Sequence, residues 1–135
     1  MNRAFVDTAG LIALTNADDQ HFETALGVQA DLTAAGARLW TNEWVLAEFL
    51  AGTRAKARRR ALGAVDALRA SPRWTVVCAS TSDFAEALSL FRLRPDKHWS
   101  LVDCISINLC KRQRITHVFT SDHHFRQAGF RILLP

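Results

Sequence analysis

Short hydrophobic runs alternate with longer amphipathic segments along this chain of 135 residues. The short runs are rich in β-branched and aromatic residues, which is typical of β-strands. The longer segments repeat apolar residues three and four positions apart, which is typical of helices that bury one face. Strands are predicted at residues 3–7, 38–41, 74–79, 117–120 and 130–134. Helices are predicted at residues 8–16, 19–35, 43–51, 53–70, from the capping residues 80–83 to about 93, and at 100–112, with a polar turn at 121–124.

This alternation of strands and helices predicts an α/β fold. We expect a central parallel sheet of about five short strands with helices on both faces. The length suits one domain, so residues 1–135 are expected to form a single unit. Ligands of such sheets bind beyond the carboxyl ends of the strands, near the point where the strand order reverses. Residues at strand ends are therefore the first candidates for function.

The composition excludes several classes of protein. Hydrophobic residues make up 49% and charged residues 22%, which is typical of a globular domain and not of a disordered chain. The three cysteines are an odd number without CxxC spacing, so neither a fully paired disulfide framework nor a zinc ribbon is predicted. Asp7 comes too early for a signal peptide, and no apolar run approaches the ~20 residues of a membrane span. We therefore expect a soluble, reduced, cytoplasmic protein without membrane contact.

Positive charge is concentrated in clusters. The net charge is +4, and one acid-free segment of seven residues, 54–60, carries five basic side chains. Lys and Arg release counterions from phosphates, so such clusters favour a polyanionic partner. The candidate nucleic-acid contacts are Arg54, Arg58, Arg59 and Arg60. The alternative is that these side chains only solvate a helix face.

Two acids lie at strand ends. Asp7 ends the first predicted strand, and Asp122 follows the fourth. Both positions also suit a helix N-cap, which aspartate fills well. The spacing alone leaves the two interpretations open.

Two further acids lie on apolar helices. Glu48 has Trp44, Val45 and Ala51 as helical neighbours, so we expect it to be partly buried and to need a metal or an arginine as partner. Asp103 interrupts an otherwise apolar helix. The alternative for Asp103 is a capping box with Ser100, three residues earlier.

Asp7, Glu48, Asp103 and Asp122 thus come from separate elements of one predicted sheet. If they converge, their repulsion raises their pKa values unless a cation neutralises them. Carboxylate oxygens without clustered thiolates or imidazoles favour Mg²⁺ or Mn²⁺. Metals held in this way activate water for phosphodiester cleavage. An acidic pocket beside basic clusters is therefore typical of a nuclease.

The chain resembles the PIN-domain ribonucleases, and among them the VapC-type toxins. The resemblance rests on four motifs in order: FVDTA at 5–9, NEWVLAEFL at 42–50, WSLVDCIS at 99–106 and FTSDHHF at 119–125. It implies that the family's metal-binding acids are Asp7, Glu48, Asp103 and Asp122, with Ser100 at the hydroxyl position near the site and Thr120 in the motif before the last acid. Asp96 is a peripheral candidate, against a solvated loop acid. The implied activity is metal-dependent cleavage of RNA.

The resemblance also implies partners. VapC-type toxins are neutralised by a VapB-type antitoxin, whose C-terminal segment usually brings an arginine to the acidic site, and they usually form homodimers. Trp40, Trp44, Trp74 and Trp99 are candidates for protein or RNA contacts, with core packing as the alternative. Transfer, ribosomal and messenger RNA all remain open as the substrate.

Two other functions stay open at this point. The chain could be a non-catalytic RNA-binding or regulatory α/β domain, with the acids as caps and ion pairs, or a PIN-fold nuclease for another nucleic acid. The single glycine of residues 7–10 and the absence of GxxxxGK[ST] disfavour dinucleotide and P-loop sites. His123 and His124 could touch a phosphate, but the sequence favours simple solvent exposure for both.

Overall fold

Five parallel strands form the centre of the computed structural model, which describes residues 2–135. The strands are β1 (Arg3–Val6), β2 (Arg38–Asn42), β3 (Trp74–Val77), β4 (His117–Phe119) and β5 (Arg131–Ile132). Their order across the sheet is β3-β2-β1-β4-β5. The predicted α/β fold with five short parallel strands is confirmed.

Seven α-helices flank the sheet in the part of the chain that the structure describes. They are α1 (Thr8–Thr15), α2 (Phe22–Ala34), α3 (Glu43–Ala51), α4 (Arg58–Ala70), α5 (Thr81–Leu93), α6 (Leu101–Gln113) and α7 (His123–Gln127), with a 3₁₀ turn at Ala55–Ala57 before α4. Within residues 2–135, none of these helices has both the length and the apolar character that crossing a membrane requires.

The strand order reverses beside β1. The chain runs outward from β1 to β2 and β3, then returns to the other side of β1 to form β4 and β5. In the register of the sheet, Phe5 pairs with Trp40 of β2 and with Val118 of β4. Because β1 and β4 are parallel, their carboxyl ends open a crevice at the same edge. Asp7 and Asp122 follow these two strands.

The hydrophobic core lies on both faces of the central strands. Phe5, Val6, Val118 and Phe119 are fully buried, as expected for inner strands of a parallel sheet. Helix α6 is buried over most of its length, including the free thiols of Cys104 and Cys110. This burial explains why its sequence is so apolar, and it fixes the helix that carries Asp103.

Helix α1 approaches β4 unusually closely at Gly10. A Cβ atom at this position would lie 2.1 Å from the carbonyl oxygen of Phe119, so only glycine fits. The backbone N–H of Asp7 also donates to this oxygen, at 3.4 Å. The close approach places the start of α1 against the end of β4, where the strand-end acids lie.

Several strand and helix ends differ from the prediction by one or two residues, and three local differences are larger. Helix α2 begins at Phe22 and not at residue 19, because the Asp19 carboxylate accepts from the backbone N–H of His21 at 2.8 Å and forms a local turn. The basic helix begins at Arg58 and not at residue 53, because Arg54 is extended. The predicted turn at 121–124 is instead the start of α7, which Asp122 caps.

Candidate active site

Asp7 is a buried carboxylate at the end of β1. Its side chain occupies the N-cap position of α1 but makes no capping hydrogen bond, which contradicts the simple capping interpretation. The residue is only 3% exposed. Its Oδ2 accepts a long hydrogen bond of 3.5 Å from the Thr120 hydroxyl, and its Oδ1 is buried without a partner among residues 2–135.

The surroundings of Asp7 favour its protonated form. Burial raises its pKa to about 7, and the charges of Asp103, Asp122 and Glu48 add to this rise, while the Thr8 backbone N–H opposes it. Each of the other three acids therefore lies close enough for its charge to act on Asp7. The four carboxylates converge at the carboxyl edge of the sheet.

Asp103 is held by a capping box at the start of α6. The Ser100 hydroxyl accepts from the Asp103 backbone N–H at 3.0 Å, and the Ser100 backbone N–H donates to Asp103 Oδ2 at 2.9 Å. The capping interpretation is therefore correct for this pair. Burial still raises the pKa of Asp103, with help from the charge of Asp122. The capping box thus orients a carboxylate that also faces the other acids.

Thr120 links the two strand-end acids. Its hydroxyl is fully buried, donates to Asp7 Oδ2 and accepts from the Asp122 backbone N–H at 3.0 Å. Asp122 in turn caps α7, because its Oδ1 accepts from the His124 backbone N–H at 2.9 Å. One hydroxyl therefore positions both Asp7 and the turn that carries Asp122.

His124 lies between two of the acids. Its Nδ1 is 3.1 Å from Asp122 Oδ1 and 3.3 Å from Asp103 Oδ2. This nitrogen is buried and has no partner in hydrogen-bond geometry among residues 2–135. The expectation of simple solvent exposure is wrong for His124, since the fold of α7 turns its ring inward. It holds for His123, which is exposed beside Arg126.

Glu48 is exposed, and the prediction of partial burial is wrong. Helix α3 turns Val45 and Phe49 into the core and leaves Glu48 at the rim of the site. The Glu48 carboxylate accepts a hydrogen bond from the Thr8 hydroxyl. Within residues 2–135 it forms no salt bridge with an arginine.

Asn42 is a positioning residue that sequence reasoning missed. Its side-chain oxygen caps α3 by accepting from the Val45 backbone N–H at 2.9 Å, and its amide donates to the Ser106 hydroxyl at 3.2 Å. It therefore ties α3, which carries Glu48, to α6, which carries Asp103. The asparagine just before the helix could have indicated the cap, but nothing in the sequence indicates the bond to Ser106.

The donor atoms of this site suit a cation. Within residues 2–135, one ligand atom from each of Asp103, Asp122 and His124 lies within 4.8 Å of the other two. Asp7 and Glu48 are outside this tight group, although their charges are coupled. The buried and unpartnered Oδ1 of Asp7 carries a large free-energy cost unless a proton or a cation compensates it. The site therefore fits a divalent ion with mainly oxygen ligands.

A cleft of about 630 Å³ opens beside Glu48. It lies between α1, α3 and the start of α4. Its basic lining consists of Arg54, Lys56 and Arg60, whereas Arg58 and Arg59 do not line it. These five side chains are exposed and form no salt bridge with any acid in residues 2–135.

A family model described as the PIN domain matches residues 4–131. The chain belongs to the PIN domain family. Its structure is similar to VapC20 of Mycobacterium tuberculosis, a toxin that cleaves the sarcin–ricin loop, with a TM-score of 0.87 and 26% identity over 98% of this chain and 99% of that one. PAE2754 from Pyrobaculum aerophilum shares the fold, with a TM-score of 0.62 and 14% identity over 97% of this chain and 89% of the other. No curated protein sequence matches this chain.

Asp96 does not join the acids of this PIN domain. Arg94 binds both of its carboxylate oxygens, at 3.0 and 2.9 Å, and this contact lowers the pKa of Asp96 to about 2. The same arginine lies over the ring of Trp99, 5.3 Å from its centroid. Asp96 is therefore a solvated loop acid, and Trp99 is a buried packing residue.

Proposed function

We propose that this PIN domain is a VapC-type toxin, an endoribonuclease that depends on Mg²⁺ or Mn²⁺. The observation that carries the proposal is the convergence of four carboxylates at the carboxyl ends of β1 and β4 in a chain of the PIN family. Family membership and the likeness to VapC20 support a nuclease. We assign the whole described chain to this one domain.

The metal ligands in this proposal are Asp7, Glu48, Asp103 and Asp122. When bound, a divalent ion activates water and stabilises charge on the phosphate. The unpartnered oxygen of Asp7 supports this assignment, because a buried carboxylate without a partner is otherwise destabilising. Glu48 is exposed, so it is the ligand most open to the approaching substrate.

Hydroxyl groups of the chain orient these carboxylates. The Thr120 hydroxyl donates to Asp7 and the Thr8 hydroxyl donates to Glu48. The Asp103 carboxylate accepts instead from the Ser100 backbone N–H, and the Ser100 hydroxyl completes this capping box by accepting from the Asp103 backbone N–H. Ser100 is exposed at the mouth of the site, so it can also donate to a phosphate oxygen of the substrate. The roles of these hydroxyls are therefore to fix the acids and, at Ser100, to contact RNA.

The basic cleft is the proposed path of the RNA. Arg54 and Arg60 line the cleft that begins at Glu48, so they can bind phosphates next to the scissile bond. Arg58 and Arg59 are exposed next to it and extend the positive surface. Because VapC20 cleaves the sarcin–ricin loop, this ribosomal RNA loop is the first substrate to test.

We further propose a VapB-type antitoxin, a homodimer and a cytoplasmic site of action. These follow from the likeness to a VapC toxin. Light scattering of the purified chain measures the oligomeric state directly. If a small protein is encoded next to this gene, co-expression with it tests the antitoxin, which is expected to co-purify and to suppress cleavage.

The decisive experiment is a cleavage assay with metal removed and restored. The purified chain is treated with EDTA and then given Mg²⁺ or Mn²⁺ with a sarcin–ricin-loop RNA, a transfer RNA, an unstructured RNA and a DNA of matched sequence. Cleavage of RNA that returns with the metal and is lost in Asp7→Asn supports the proposal. Binding without cleavage in any metal indicates the regulatory RNA-binding domain, and cleavage of DNA alone indicates a nuclease for another nucleic acid.

A further inference from the structure

Among residues 2–135, His124 contributes the one nitrogen atom of the group formed with Asp103 and Asp122, and its Nδ1 makes no hydrogen bond there. Its Nδ1 is buried although the imidazole side chain as a whole is 33% exposed. The Nδ1 atom lies at ion-pair distance from Asp103 and Asp122, but neither contact has hydrogen-bond geometry, so within residues 2–135 this nitrogen faces the carboxylates without a hydrogen-bond partner. The buried Oδ1 of Asp7 is a second orphaned atom of the same site.

The distances from His124 Nδ1 to its two acidic neighbours are those of neighbouring ligands around one ion. Two ligands at right angles and about 2.1 Å from an octahedral ion lie about 3.0 Å apart. The Nδ1 of His124 is 3.1 Å from Asp122 Oδ1 and 3.3 Å from Asp103 Oδ2. Both separations therefore suit donors that share one ion.

The local fold holds the imidazole in this place. The backbone N–H of His124 donates to Asp122 Oδ1, which fixes the start of α7. The next residue, Phe125, is fully buried, and its ring packs against Phe130 with centroids 6.3 Å apart. The histidine therefore lies between a helix cap and a core residue, and both limit how far its ring can move.

We propose that His124 is a nitrogen ligand of the metal site and that it biases the site toward Mn²⁺ over Mg²⁺. This inference rests on the proposed function, since it concerns the same ion. Imidazole binds transition-metal ions well, whereas Mg²⁺ prefers oxygen ligands and retains water. A site with only carboxylates lacks this bias.

The test compares His124→Gln with the matched control His123→Gln. Both variants remove one histidine from the same helix, but His123 is exposed and lies beside Arg126. Calorimetric titration of the metal-free proteins gives the affinities for Mn²⁺ and Mg²⁺. We expect His124→Gln to lose affinity for Mn²⁺ by about tenfold or more, with a smaller loss for Mg²⁺, and His123→Gln to match the wild type.

A spectroscopic measurement detects the bound nitrogen directly. Pulsed electron paramagnetic resonance of the Mn²⁺-loaded wild type detects a directly bound imidazole through its ¹⁴N modulation. This modulation is expected in the wild type and in His123→Gln, and it should vanish in His124→Gln. If the wild type binds Mn²⁺ without ¹⁴N modulation, or if His124→Gln keeps the wild-type ratio of affinities, the histidine is not a ligand although the metal site stands. If the wild type binds neither ion, the inference and the proposed function both fail.

Discussion

A carboxylate as deeply buried as Asp7 is stable only if its charge is removed or matched. Burial and three neighbouring acids raise its pKa to about 7, so in the absence of metal a proton compensates it at acidic pH. As the pH rises past this value, the Asp7 carboxyl loses its proton, and the native state must then hold a buried negative charge. The metal-free protein therefore pays for its site in stability, and an ion removes that penalty.

The first prediction is that metal-free protein loses stability between about pH 4 and pH 7. The native pKa of Asp7, about 7, is above the ordinary value of 3.8, so the native state binds the proton more tightly than the unfolded state. The extra stability that this bound proton gives the native state is fully present below about pH 4 and is lost as the pH rises to about 7. The loss is roughly 4 kcal/mol at most. Thermal melts in EDTA at pH 5 and pH 7.5 measure the effect, and Asp7→Asn should reduce it and be at least as stable as the wild type at pH 7.5.

Asp96→Asn is the control for this prediction. Asp96 is exposed, and its pKa of about 2 means that it stays ionised across the range tested. Its replacement should leave the difference between pH 5 and pH 7.5 as in the wild type. An Asp7→Asn protein with the same pH dependence as the wild type would show that Asp7 is not the buried acid responsible.

At the scale of elements, the site depends on how closely α1 packs against β4. The missing side chain of Gly10 allows this approach, which brings Asp7 to the end of β4 and within reach of Thr120. Asn42 fixes α3 in a similar way, because its side chain caps α3 and also bonds to Ser106 of α6. The acids therefore converge because the helices that carry them are fixed to one another and to the sheet.

The second prediction concerns Gly10→Ala. The added methyl group would overlap the Phe119 carbonyl oxygen, so α1 must move, at a cost of about 1–3 kcal/mol. The movement also displaces Asp7, so metal affinity and RNA cleavage should fall together with the melting temperature. Gly27→Ala is the matched control in α2, because nothing lies within 4 Å of its added Cβ. That change should leave activity intact and stabilise the chain slightly.

The third prediction separates the arginines of the basic segment. The double variant Arg54→Ala/Arg60→Ala removes two side chains of the cleft, whereas Arg58→Ala/Arg59→Ala removes the same charge outside it. RNA affinity is measured in EDTA at several salt concentrations, and its logarithm is plotted against the logarithm of the salt concentration. The slope of this plot should become shallower by roughly 1.4 for the first pair, at about 0.7 per phosphate contact, and by less for the second. Equal slopes for the two pairs would mean that only net charge matters and that the cleft does not guide RNA.

Sequence reasoning was most reliable where a feature is local. The alternation of strands and helices, the acids at strand ends and the Ser100–Asp103 capping box all follow from residues close in the chain. Features that arise from contacts between distant elements were missed. The exposure of Glu48 depends on which face of α3 meets the core, and the inward ring of His124 depends on α7 packing through Phe125. The predicted start of α4 is too early, because helix propensity alone does not show that the backbone of Arg54 is extended.

At the scale of the molecule, charge of both signs is separated in space. The chain has a net charge of +4, yet four acids converge at one edge of the sheet and the basic cleft begins beside them. In the proposed function, the basic side chains attract RNA, and the acids repel its phosphates until a cation neutralises them. The proposed function therefore links metal binding, folding stability and substrate binding through one cluster of charges.

The last prediction follows from this linkage. An ion that binds only the native state stabilises it by about 2.7 kcal/mol when its concentration is a hundred times the dissociation constant, which raises the melting temperature of a chain of this size by roughly 10 °C. Mn²⁺ added to the metal-free wild type at pH 7.5 should give such a rise in melting temperature. The rise should be much smaller in Asp7→Asn, because this variant has lost one metal ligand and also part of the charge repulsion that the ion relieves. Sodium chloride at the same ionic strength is the control, since screening alone weakens repulsion between partly exposed charges. A rise equal in salt and in Mn²⁺ would mean that the acids respond to ionic strength and hold no ion.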